Sequence, residues 1–194
     1  MRIAKMILVI AAATLLATGC SRQKNDATKA LTAIETSVSA LKEDATKYAP
    51  DAYNGVNSTL NMLKDSLAKE EYETVLAGTP ELQKAVETLK TAIASGKQQF
   101  EAATEEWTVL NASVPQMVEA IQSRVDTLSG SRKLPKNVSK EAFESAKSGL
   151  DSMKVTWSEA SAEFAEGKAN QAVEKGRVVK AKGEEVLAAL GMTT

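Results

Sequence analysis

The chain has 194 residues, with 24 basic against 25 acidic side chains, one Cys and no His. That near-neutral balance excludes the basic footprint of a nucleic-acid binder. Without His there are no His general bases, His-assisted Ser or Cys triads, His-ligated haem or Glu-x-x-His di-iron pairs, and a single Cys allows neither a Cys/His zinc site nor an internal disulfide.

Arg2 and Lys5 open the chain, an apolar run follows from Met6 to Leu16, and it closes on Ala17-Thr18-Gly19-Cys20. A basic start, an apolar middle and small residues before a cut make residues 1–19 a secretory signal peptide. Even counted from Met6 to Gly19 the stretch is about 14 residues, shorter than the roughly 20 a spanning helix needs. The Cys after Ala-Thr-Gly resembles the lipobox of bacterial lipoproteins, with Ala17 where Leu is usual and Leu16 one place earlier. This resemblance implies diacylglyceryl transfer to Cys20, cleavage between Gly19 and Cys20, and acylation of the new amino terminus with palmitate-type chains. In enteric bacteria an Asp after the Cys resembles an inner-membrane retention signal. Ser21 therefore implies the outer membrane, facing the periplasm. Acyl chains anchor by burying methylenes at about 0.8 kcal/mol each, and several chains hold effectively permanently.

The mature chain keeps 22 basic against 25 acidic residues, and Ala, Lys, Glu, Ser, Thr and Leu dominate it. Such a composition favours long helices. Residues 20–26 read as the acylated Cys and a polar tether. A first helix is predicted from Ala27 to Tyr48, capped by Asn25 or Asp26, with Leu31, Ile34, Val38, Leu41 and Ala45 along one seam. Pro50 starts a second, carrying Val56, Leu60, Leu63 and Leu67 to about Lys69. The chain reverses at Lys69-Glu70-Glu71. A third helix runs from Tyr72 to about Leu110, with a kink or break at Gly78-Thr79-Pro80, where Thr79 caps and Pro80 restarts. Pro115 begins a fourth, shorter helix with Val118, Ile121, Val125 and Leu128. Ser129 to Asn137 is a loop. Ser139 caps a fifth helix holding Phe143, Leu150, Met153, Trp157 and Phe164, which Gly167 ends. The last helix runs from about Ala169 to Leu190, and Gly191 stops it.

An internal repeat is visible. Tyr53, Leu60, Leu63 and Leu67 match Phe143, Leu150, Met153 and Trp157 at identical spacing, and Tyr72 matches Phe164 if the second copy gains two residues. Each copy reads as a helical hairpin, about 50–95 and 139–190. One hairpin cannot bury its own apolar face. The expected fold is therefore all-α: an elongated antiparallel bundle of five or six helices with two hairpin-like repeats, forming one domain over 27–194.

Lys47-Tyr48-Ala49-Pro50-Asp51, followed by Leu60, Leu63, Glu71-Tyr72 and Ala77, resembles a family of bacterial lipoproteins with an alanine-rich helical domain of unknown function. The resemblance covers roughly residues 45–95. It implies a helical fold and an envelope compartment, and no activity.

Glu70, Glu71 and Glu73 read as acidic residues favoured at a helix amino terminus. Trp107, Trp157, Phe143 and Phe164 read as core rather than a ligand groove. Ala169, Gly176, Gly183 and Leu190 recur every seven residues. Gly costs about 1 kcal/mol relative to Ala inside a helix, so Gly176 and Gly183 are expected where another backbone approaches closely, or at an interface. No nucleophile–base pair, cofactor site or metal site can be named. The expected function is a non-enzymatic structural or adaptor component of the envelope, anchored to the membrane through Cys20 and bound to an envelope protein. The alternative is a binding module that holds an apolar ligand or peptide between its helices.

Overall fold

A computed structural model describes the backbone of residues 2–192 and the side chains of residues 21–192. Among the described residues the protein is all-α, with no strand. Its helices are α1 (Arg2–Tyr48), α2 (Pro50–Ala68), α3 (Tyr72–Ser129), α4 (Lys140–Ala165) and α5 (Ala169–Ala189). The chain divides into two compact units, Met1–Lys97 and Gln98–Thr194.

The first unit packs Leu31, Ile34 and Val38 of α1 with Val56, Leu60 and Leu63 of α2 and Val75, Leu82, Leu89 and Ile93 of α3. In the second, Trp107, Leu110, Val114, Ile121 and Val125 of α3 meet Phe143, Leu150 and Met153 of α4 and Val179, Val186 and Leu190 of α5. Each core is a three-helix arrangement with one apolar seam per helix.

Three sequence expectations are corrected. The tether expected over 20–26 is helical from Ser21 onward, and Ala27 is already fully buried. Nothing between Ser21 and Ala27 breaks a helix. Arg22 and Asp26 form an i,i+4 pair at 4.0 Å, and the Thr28 hydroxyl donates to the Lys24 carbonyl at 2.7 Å. Secondly, α3 runs unbroken through Gly78-Thr79-Pro80, and thirdly it runs through Pro115. Both prolines are exposed, so neither ring displaces the buried seam. Buried Val75, Thr79, Leu82 and Val86, and later Leu110, Val114 and Ile121, keep the seam in register across each proline. Thr79 caps nothing; its hydroxyl donates back to the Val75 carbonyl at 2.7 Å.

The helix ends follow the sequence more closely. Pro50 opens α2, and the Ser139 hydroxyl accepts from the Ala142 amide at 3.0 Å at the start of α4. Three helices end in the same motif. Glu71 N–H donates to Ser66 O, Lys168 to Glu163 O and Met192 to Leu187 O, each at 2.9 Å. The residue before each donor has positive φ: Gly167 (80°), Gly191 (67°) and Glu70 (62°).

These turns also set the register of the repeat. Glu70 corresponds to Gly167, and the helix starts Tyr72 and Ala169 correspond too. Buried Val75, Thr79, Leu82, Val86, Leu89 and Ile93 then fall on Ala172, Gly176, Val179, Gly183, Val186 and Leu190 at a constant offset of 97 residues. The pairing of Tyr53 with Phe143 was seven residues short of this, and Tyr72 pairs with Ala169 rather than Phe164. The extra heptad lies at the start of α4, which has 26 residues against 19 in α2.

Candidate functional site

The lipidation site expected at Cys20, like the signal segment 1–19, lies outside the residues whose side chains are described. Among the described residues no helix is long and apolar enough to cross a membrane.

Gly176 and Gly183 are buried in α5. Side chains, not a neighbouring backbone, occupy the space before them. A Cβ on Gly176 would lie 2.9 Å from Leu110 Cδ1, with the Trp157 and Trp107 rings beyond. At Gly183 it would overlap Met117 Sδ and lie 2.9 Å from Met153 Cε. Direct approach of backbone to backbone occurs instead at Gly96, where a Cβ would overlap the Tyr48 carbonyl oxygen. In the sequence Gly96 has no partner at heptad spacing and reads only as a weak point in α3, so the signal was not there to find.

The aromatic residues form a stack. Trp107 lies between Trp157 and Phe164, with centroid separations of 5.0 and 4.9 Å and interplanar angles of 10° and 13°. Trp157 and Phe164 are two helical turns apart on α4, so both reach the one indole of α3. Phe143 is buried separately near the start of α4. The aromatic group is thus core. Trp157, only partly buried, also forms one wall of a surface groove of about 550 Å³ with Pro115 and Val118 of α3. Glu119, Gln122, Lys154, Ser158 and Ser161 complete it.

Two further grooves carry charge. One of about 410 Å³ lies between α3 and α5, where the Arg177 guanidinium grips the Glu106 carboxylate through both oxygens. The Arg177 hydrogen bonds hold the Glu106 carboxyl below its ordinary range against the opposing effect of desolvation, with the charges of Arg177 and Lys180 lowering it further. The other, about 660 Å³, lies between Ser21, Gln23 and Lys24 of α1 and Glu70, Glu71, Tyr72, Glu73 and Thr74 at the α2–α3 turn. The acidic trio therefore sits beside Ser21, Gln23 and Lys24 of α1, a neighbourhood the expected tether had hidden.

Other carboxylates are paired with lysines across helices. Lys175 bridges Glu159 and Glu163 at 2.8 and 2.9 Å, and Lys97 meets Asp44 at 2.8 Å. Among the described residues no group of three or more His, Cys, Asp or Glu converges in a way that could hold a metal ion.

Comparison of the chain with known protein families, curated proteins and solved structures yields no match. Its functional reading rests on its own residues.

Proposed function

We propose that this chain is a lipid-anchored, non-enzymatic structural or adaptor component of a bacterial cell envelope. Acyl chains on Cys20 hold it to the membrane, at the outer membrane and facing the periplasm, where it binds another envelope protein. The observation that carries this reading is the run from Leu16 to Cys20, whose small residues end on the chain's one Cys.

Two further features support holding over conversion. Several of the charged groups that line grooves or face one another across helices are paired at the surface, as in Arg177 with Glu106 and Lys175 with Glu159 and Glu163. The space between the helices of the second unit is filled by Trp107, Met117, Met153 and Leu110. That filling favours contact at the surface over the alternative of an apolar ligand held between helices, and the Pro115–Val118–Trp157 groove offers such a surface.

Mass spectrometry of the protein from bacterial membranes tests the anchor. The expected amino terminus is Cys20 bearing a thioether-linked diacylglycerol and an amide-linked acyl chain. An unmodified Cys20 in an uncleaved chain would remove the basis of the reading. Alanine replacement of individual Asp, Glu, Lys and Ser residues tests the absence of catalysis: none should abolish function while the fold is intact. One such residue, lining a groove, would favour an enzyme.

A further inference from the structure

The helical junction after Cys20 fixes which end of the first unit meets the lipid. This inference rests on acylation of Cys20. In α1 the helix is continuous from Ser21, and Ala27 is fully buried in the core. Six residues of helix rise only about 9 Å. An acylated Cys20 therefore leaves no slack between the bilayer surface and the packed bundle. The groove already described brings the α2–α3 turn, Glu70 to Thr74, alongside Ser21, Gln23 and Lys24 at this same end. The α1–α2 turn at Ala49 marks the opposite end, held against α3 by the contact of Gly96 with Tyr48. From Tyr72 to Gly96 the helix rises about 36 Å.

We propose that the end of the first unit formed by Ser21–Lys24 and Glu70–Thr74 lies on the lipid headgroups, with the Ala49 turn held away from them. The partner is the lipid surface itself. Exposed Arg22, Lys24 and Lys69 stand beside exposed Asp26, Glu70, Glu71 and Glu73. Such a mixed end has no strong preference for anionic lipid, because attraction of the cations is offset by repulsion of the carboxylates. The acyl anchor and the stiff junction set the contact; net charge does not.

The test uses the lipidated mature protein reconstituted in phosphatidylcholine vesicles that carry a nickel-chelating headgroup lipid. The acylated Cys20 sulfur is blocked, so a nitroxide can be placed singly on Glu71→Cys or on Asp51→Cys, both exposed positions. Strong paramagnetic relaxation at position 71 and near-background relaxation at 51 is expected. The same contrast is expected when phosphatidylglycerol is added. Inserting six Gly and Ser residues between Ser21 and Arg22 should erase the contrast while the protein stays on the vesicles. Equal relaxation at 71 and 51 in the parent protein, with Cys20 shown to be acylated, would overturn this inference alone. So would a contrast seen only with anionic lipid. An unacylated Cys20 would overturn it together with the proposed function.

Discussion

The missing side chain of Gly96 is the space into which the Tyr48 carbonyl fits: a Cβ there would overlap that oxygen and lie 2.9 Å from the carbonyl carbon. Tyr48 is the last residue of α1, one before the turn into α2. A backbone cannot swing aside as a side-chain terminus can. Gly96→Ala should therefore destabilise the protein by about 1–3 kcal/mol, despite a helix-propensity gain of about 1 kcal/mol. Gly55, exposed in α2 with nothing within 4 Å of a Cβ, is the control. Gly55→Ala should raise the denaturant midpoint while Gly96→Ala lowers it.

Gly183 sets a graded case. The atoms before it, Met117 Sδ and Met153 Cε, are at or near the ends of flexible side chains. Gly183→Ala should thus be nearly neutral, as methionine rearrangement offsets better propensity. Gly183→Leu exceeds what the two methionines can yield and should cost about 1–3 kcal/mol. A higher melting temperature for the Leu variant would contradict the burial of this face.

Glu70 holds a left-handed conformation at the end of α2 that Gly holds at the ends of α4 and α5. The backbone cost for a residue with a Cβ is about 1–2 kcal/mol. Glu70→Gly should recover about 1 kcal/mol of it, the remainder being lost to the greater freedom of Gly in the unfolded chain. Gly167→Ala should show the reverse sign. Thermal unfolding of the two variants checks the pair.

The Glu106–Arg177 pair gives a pH signature. The carboxyl is held below its ordinary range, chiefly by the Arg177 hydrogen bonds. A group with a depressed folded-state pKa contributes stability above its unfolded pKa and loses it as pH falls through the folded value. The melting-temperature difference between the parent and Glu106→Gln should therefore be constant near neutrality and shrink below about pH 4. It should also shrink in high salt, because the pair is exposed. A difference that grew on acidification would contradict the assignment.

Trp107 is clamped between two rings and buried at the centre of the second core. Trp107→Ala should cost about 3–5 kcal/mol. Near-ultraviolet circular dichroism should lose the Trp107–Trp157 signal in that variant.

Much of the fold was legible in the chain because it depends on local signals. Three-and-four spacing marked buried seam positions in α1, α2 and α4, among them Leu31, Ile34, Val38, Leu60, Leu63, Leu150 and Met153. Pro50, Ser139, Gly167 and Gly191 marked their helix ends because each acts on the backbone next to it. Candidate sites were less legible. The groove joining Ser21–Lys24 to Glu70–Thr74 depends on α1 starting early, and polar residues alone do not distinguish an exposed helix from a tether.

The sequence by itself determined the helical class, the seams, most of the turns and the single Cys that a lipid anchor requires. The tertiary structure decided the rest, for three physical reasons. Pro80 and Pro115 stay within one helix because packing holds the seam on both sides of each exposed ring. The heptad pattern is satisfied equally by offsets of 90 and 97 residues, so the repeat register is set only where the Glu70 and Gly167 turns close. Glycine in a helix reads alike wherever it stands, and only the assembled neighbours show that Gly96 meets a backbone while Gly176 and Gly183 meet side chains.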